Sequence, residues 1–157
     1  MDAECARGQT LMSASRNNWL AGVLKLICAE LGVSSLDSFL DGERPSAADR
    51  SGYHWVMSEL DQPMIEAALA GISDVLRTAD EQPQLVVNLV GVGFTSLEDV
   101  KDALRSTTAD YDPVHGPKGE EEGDGPYYLF AYLKSLQALL RHADRHGLSV
   151  IHAKSVP

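Results

Sequence analysis

The sequence predicts a mainly helical α+β fold, with about five helices around a small sheet. Apolar residues recur at three- and four-residue spacing through most of the chain, which is the period of an amphipathic helix. Two short apolar runs near 85–90 and 148–153 have the composition of buried strands. The chain has 157 residues, 44% of them hydrophobic, which is enough for one domain with one core. We expect a flexible N-terminus over residues 1–12 and a single domain over residues 13–157.

The first half of the chain is predicted to be helical. An apolar stripe from Ser13 to Gly32, with Gly32 at the C-terminal end, indicates the first helix. A short helical turn is predicted at Ser35–Leu40. Ser46–Leu60 begins with an arrangement similar to a capping box and is predicted to be a second helix, although Gly52 weakens it.

The next two elements are a helix and a strand. Asp61 precedes Pro63, which suits the first turn of a helix, and an apolar stripe then runs to about Thr78. After Pro83, the run at 85–90 is short, apolar and rich in valine. We therefore predict a central strand there.

Two helices and a strand complete the chain. Ser96 is placed to cap a helix that runs to about Arg105. Pro126 introduces the most strongly patterned predicted helix, Tyr127–His146, and Gly147 ends it. The run at 148–153 is the second predicted strand.

The arrangement of the sheet stays open between several possibilities. The order strand, helix, helix, strand allows a parallel pair with a right-handed crossover. Two strands alone form a poor sheet, however. A third strand would be best placed at Gly52–Met57. Otherwise the strands are an adjunct to a helical bundle, or a partner's strand completes the sheet.

The stretch from Asp110 to Pro126, called here the acidic segment, concentrates the charge of the chain. It contains six carboxylates and one lysine, so its net charge of −5 is half of the −10 of the whole chain. Three prolines and four glycines among its seventeen residues oppose a helix or a central strand. The sequence predicts a long acidic loop, and such loops are usually functional or disordered.

The charge balance excludes some partners and favours others. Acids outnumber bases by 23 to 13, and the pI is near 4.8, which argues against a protein that binds nucleic-acid phosphates. An acidic surface attracts a basic macromolecule, although acidity also serves solubility alone. The N-terminal residues show no export pattern, and Cys5 and Cys28 are the only cysteines. These features predict a cytoplasmic protein without a disulfide framework.

Motifs for a ligand, a metal or catalysis are incomplete. Gly91–Ser96 is placed as a phosphate-binding turn between a strand and a helix, but it lacks the third glycine and the lysine of known motifs. His142 and His146 lie four residues apart and therefore share a helix face. They are either half of a metal site or favourable charges at a helix C-terminus. The acidic segment departs from a calcium loop at Val114 and His115.

No sequence pattern of an enzyme active site is present. His54, between two aromatic residues, marks either a pocket or a core position. We therefore predict no catalytic residue, no cofactor site and no metal site.

Tyrosines accompany the carboxylates of the acidic segment. Tyrosine is enriched at protein interfaces because it combines contact area with a polar tip. One of two adjacent helical tyrosines can equally face the core. The predicted partner-binding residues are Asp110, Tyr111, Asp112, Glu120, Glu121, Glu122, Asp124, Tyr127 and Tyr128.

The function predicted from the sequence is non-catalytic binding of a basic protein. The concrete form is an immunity or antitoxin-type inhibitor that covers the active site of a toxin, such as a nuclease, with carboxylates. One alternative is a small enzyme or ligand-binding domain with a phosphate-type pocket at 91–96. Another is a structural or regulatory subunit of a homo-oligomer. The sequence specifies neither the partner nor the oligomeric state.

Overall fold

The computed structural model describes residues 18–36, 55–90, 96–108, 111–112, 116–117 and 125–155. These residues form a mainly helical α+β fold with five helices and a small two-stranded antiparallel sheet, which confirms the predicted fold class. A further pair of two-residue strands lies within the acidic segment.

The first helix, α1, spans Asn18–Leu31 and ends as the sequence predicts. Gly32 adopts a φ of 66°, a left-handed conformation that glycine accepts without strain. The amide of Val33 donates to the carbonyl oxygen of Cys28 at 2.8 Å, which completes a Schellman-type end. Leu36 lies in the following turn and is buried. The rest of the turn predicted at Ser35–Leu40 lies outside the described residues.

Helix α2 spans Gln62–Glu81, slightly longer than predicted. Asp61 caps its N-terminus, since the carboxylate accepts a hydrogen bond from the Met64 amide at 3.0 Å, and Pro63 lies in the first turn. The helix contacts all four of the other helices. Its buried face consists of Ile65, Ala68, Gly71, Ile72, Val75, Thr78 and Ala79.

The prediction of a strand near 85–90 is wrong. Residues Pro83–Val90 form a short helix, α3, which contacts α1, α2 and α4. Pro83 occupies a first helical position, where its missing N–H is not needed. The side-chain amide of Gln84 donates to that of Asn88, four residues later, at 2.7 Å. Contacts with three neighbouring helices thus override the strand preference of the valines.

Helix α4 spans Leu97–Ser106, close to the predicted range. Ser96 caps it as expected, because its hydroxyl oxygen accepts a hydrogen bond from the Asp99 amide at 3.2 Å. Val100 and Ala103 form its buried face.

Helix α5 spans Gly125–His146 and includes the whole of the predicted last helix. It packs against α2 and α4. Gly147, with a φ of 62°, ends it in the predicted left-handed position. Its buried side chains are Leu129, Phe130, Tyr132, Leu133, Ser135, Leu136, Leu139, Leu140 and Ala143.

The sheet corrects one further prediction and decides between arrangements that the sequence left open. Trp55–Leu60 form strand β1, so the helix predicted over Ser46–Leu60 is wrong in this part, and residues 46–54 lie outside the described residues. The alternative strand at Gly52–Met57 is confirmed in its C-terminal part. The last strand, β4, spans Val150–Ser155, near the predicted 148–153. It pairs with β1 in antiparallel orientation, not in a parallel crossover.

The sheet meets the helical core at one end of this strand pair. Leu60 pairs with Val150, and both residues are buried. The next pair, Glu59 and Ile151, is exposed, with Ile151 53% accessible. Gln62 of α2 donates a hydrogen bond to the carbonyl oxygen of Leu148 at 3.1 Å and so ties the start of α2 to the chain before β4.

Candidate binding surface

The acidic segment lies between α4 and α5, and part of it has regular structure. Tyr111–Asp112 form strand β2, which pairs antiparallel with Gly116–Pro117, strand β3. Gly125 and Pro126 belong to α5. The prediction of a loop without regular structure is therefore wrong at these positions. The physical reason is that proline is tolerated in an edge strand and in the first turn of a helix.

Lys134 of α5 fixes the point where the chain leaves α4. Its ammonium group donates hydrogen bonds to the carbonyl oxygens of Leu104 and of Thr107, the latter at 2.5 Å. A cation is favoured there because the last carbonyl groups of a helix lack backbone partners and carry partial negative charge. Burial lowers the pKa of Lys134 from its ordinary value.

Thr107 adds two local bonds at the same position. Its amide and its hydroxyl both donate to the carbonyl oxygen of Ala103, at 3.2 and 2.7 Å. The chain is thus held to α4 and to α5 just before the acidic segment begins.

The C-terminal end of the acidic segment is fixed by the packing of α5. Leu129 and Phe130, in the first turns of this helix, are fully buried. Strand β2 also contacts α5. Helix α5 therefore positions Thr107 just before the acidic segment, strand β2 within it, and Gly125 and Pro126 at its C-terminal end.

The structure describes only some of the predicted partner-binding residues. Tyr127 is 42% exposed at the start of α5, so its ring is accessible beside the acidic segment. Tyr111 and Asp112 are described by their backbone in β2. The backbone of Tyr128 lies in α5. The remaining predicted partner-binding residues lie outside the described part of the chain: Asp110, Glu120, Glu121, Glu122 and Asp124. The same is true of Val114 and His115, where the acidic segment departs from a calcium-binding loop.

The expected setting of the turn at Gly91–Ser96 is not found. The element before it is helix α3 and not a strand, because the run at 85–90 folds as a helix. Ser96 acts as the cap of α4. Residues 91–95 lie outside the described residues, and so does His54.

The two histidines at the end of α5 do share one face. Their ring centroids are 4.3 Å apart, and Nδ1 of His146 lies 2.8 Å from the carbonyl oxygen of His142. Desolvation lowers the pKa of His142, and the positive charges of His146 and Arg145 lower it further. Asp144 and His152 are the residues that the sequence offers to complete a metal site with this pair. Asp144 is exposed, and the side chain of His152 is outside the described set.

The described residues also bear on metal binding, cysteine chemistry and membrane insertion. They contain no group of three or more His, Cys, Asp or Glu side chains that could hold a metal ion. Cys28 is buried in α1. Within the same part of the chain, no helix combines the length and apolarity needed to cross a membrane.

Sequence reasoning missed the role of Lys134. A signal was present, because Lys134 is the only charged residue among the first sixteen residues of α5. A lone lysine in an otherwise apolar and neutral helix needs a partner for its ammonium group. That partner, the end of α4, depends on tertiary packing.

The sequence matches no protein-family model, and no curated protein or solved structure is significantly similar to it.

Proposed function

We propose that this chain is a non-catalytic, acidic binding protein of the cytoplasm whose acidic segment engages a basic surface on another protein. In its most concrete form it is an immunity or antitoxin-type inhibitor. Its carboxylates cover the cationic active site of a toxin, such as a nuclease, in place of nucleic-acid phosphates.

The observation that carries the proposal is the attachment of the acidic segment. Half of the net charge of the chain lies in these seventeen residues, which follow the end of α4 and reach the first turn of α5. Lys134 bonds to Thr107 at one end, and the buried Phe130 fixes the helix at the other. Fixed ends reduce the conformational entropy that a binding loop loses when it meets a partner.

The charge of the acidic segment indicates which kind of partner surface it would bind. Six carboxylates in one segment repel one another in the free protein, and a partner's Lys and Arg side chains relieve that repulsion. Complementary charge speeds the encounter of two proteins, and salt screens that effect. The exposed ring of Tyr127 supplies contact area next to these charges.

The test compares two variants with the same change in charge. The first removes four carboxylates of the acidic segment by the substitutions Glu120→Gln, Glu121→Gln, Glu122→Gln and Asp124→Asn. The control removes four exposed carboxylates on α2 and α4 by the substitutions Glu66→Gln, Asp80→Asn, Glu81→Gln and Glu98→Gln. The native chain is used to capture its partner from a lysate of the host, and association rates are then measured over a series of NaCl concentrations.

We expect the first variant to associate at least tenfold more slowly at low salt, with a weaker salt dependence. The control should lose much less, because its charges lie on other elements. An equal loss in both variants would mean that only total charge matters, and an unchanged rate in the first would refute the proposal.

A further inference from the structure

Two imidazole rings meet at the C-terminal end of α5. The ring centroids of His142 and His146 are 4.3 Å apart, and the ring planes are inclined by 33°. Residues four apart on a helix project from one face, so the backbone itself keeps the rings together. His146 is exposed and His142 is half-buried. A small ligand can therefore reach the pair from solvent.

The hydrogen bond of His146 determines which of its nitrogens is a lone-pair donor. Nδ1 lies 2.8 Å from the carbonyl oxygen of His142, and a carbonyl oxygen only accepts hydrogen bonds. Nδ1 must therefore carry the proton. In the neutral ring, Nε2 then holds an available lone pair. A metal-bound histidine is commonly oriented in this way, with its other nitrogen bonded to a backbone carbonyl.

We propose that His142 and His146 form a two-histidine site for a divalent transition-metal ion that prefers nitrogen ligands, such as Zn²⁺, with water in the remaining positions. Two Zn–N bonds of about 2.0–2.1 Å at a tetrahedral angle place the nitrogens roughly 3.4 Å apart. Ring centroids 4.3 Å apart keep the two imidazoles close enough to approach a single ion. Among the described residues no third ligand completes a cluster, so the site is open and differs from a closed structural zinc centre.

The charged residues around the two histidines determine how tightly a metal ion is expected to bind. Arg141 and Arg145 are exposed on the same turns and repel a cation, whereas Asp144 is exposed between them and attracts one. The balance is unfavourable, so removing Arg145 should strengthen binding. This provides a variant that gains affinity, which loss of folding cannot imitate.

The experiment titrates the full chain with ZnCl₂ while the ring nitrogens of the histidines are observed by NMR. This readout separates histidine ligands from the carboxylates of the acidic segment, which also attract Zn²⁺. We expect the signals of His142 and His146 to shift together and to saturate at one Zn²⁺ per chain. His146→Gln should weaken this binding at least roughly tenfold. Arg145→Gln should tighten it.

Circular dichroism of each variant checks that α5 still forms. The proposal fails if Zn²⁺ leaves the two histidine signals in place. It also fails if His146→Gln binds Zn²⁺ at His142 as tightly as the native chain, or if Arg145→Gln binds it no better.

Discussion

Replacing Lys134 by methionine tests how the acidic segment is held. Methionine keeps an unbranched apolar side chain but has no ammonium group. The substitution removes both hydrogen bonds to the end of α4, those to the carbonyl oxygens of Leu104 and Thr107. The two carbonyl groups then depend on water for partners, and α4 loses a favourable charge at its C-terminus.

The size of the effect follows from the number and kind of bonds. A hydrogen bond from a charged donor contributes about 1.5–3 kcal/mol. Lys134 is only half-buried, so water and the recovered solvation of the ammonium group offset part of the two bonds. We expect a loss of about 1–2 kcal/mol in the free energy of unfolding. With a urea m-value of about 2 kcal/mol/M, the middle of the usual range, the midpoint should fall by roughly 0.5–1 M.

Urea denaturation and hydrogen exchange measure the two consequences. The midpoint of unfolding gives the global effect, and exchange of the Thr107 amide, bonded to Ala103 at 3.2 Å, reports on the end of α4. The control is Lys101→Met, which removes the same charge from a half-buried position of α4. It should change stability by less than about 0.5 kcal/mol. If both variants lost the same stability, or Lys134→Met lost none, the assigned role of Lys134 would be wrong.

The remaining predictions concern packing and capping. In Gly71→Ala the new Cβ would lie 2.8 Å from Val33 Cγ1 and closer still to Ser35 Oγ, so thermal denaturation should show a loss of about 1–3 kcal/mol. Its matched variant Gly22→Ala has nothing within 4 Å of the new Cβ and should gain about 0.5–1 kcal/mol; the opposite order of the two would contradict the packing. Asp61→Ala removes the cap of α2 and should cost about 0.5–2 kcal/mol in urea denaturation, and Asp61→Asn should restore most of it.

Helices with local end signals were predicted well. Asp61, Ser96, Gly32 and Gly147 all act at the ends where the sequence places them. A cap depends on bonds within about four residues, so the sequence contains nearly all of the information needed. The same holds for the apolar stripe of α5, whose period is local.

Strands were predicted poorly because their identity depends on distant partners. Trp55–Leu60 become a strand by pairing with Val150–Ser155, about ninety residues away, and no local pattern specifies that register. The run at 85–90 shows the opposite error. A short apolar run fits a buried strand or a buried helix equally, and here contacts with α1, α2 and α4 decide for the helix.

For the candidate surface, the sequence predicts the charge of the acidic segment but not how the neighbouring chain is bonded to α4 and α5. The six carboxylates and their neighbouring tyrosines can be read directly from residues 110–128. The bonds from Lys134 to α4 cannot, because they join residues 27 and 30 positions apart through the packing of two helices.

The charges at the two ends of α5 require different explanations. At the C-terminus, Arg145 is a cation in the last turn, where the helix dipole favours positive charge, so a structural role is sufficient for it. At the N-terminus the dipole equally favours carboxylates. Its strength, however, corresponds to about half a charge, and its effect falls off within one turn. It can account for Asp124, which immediately precedes the helix, but not for a segment of net charge −5 that begins at Asp110. The dipole of α5 therefore does not account for the excess acid, which leaves solubility or the proposed basic partner as its reason.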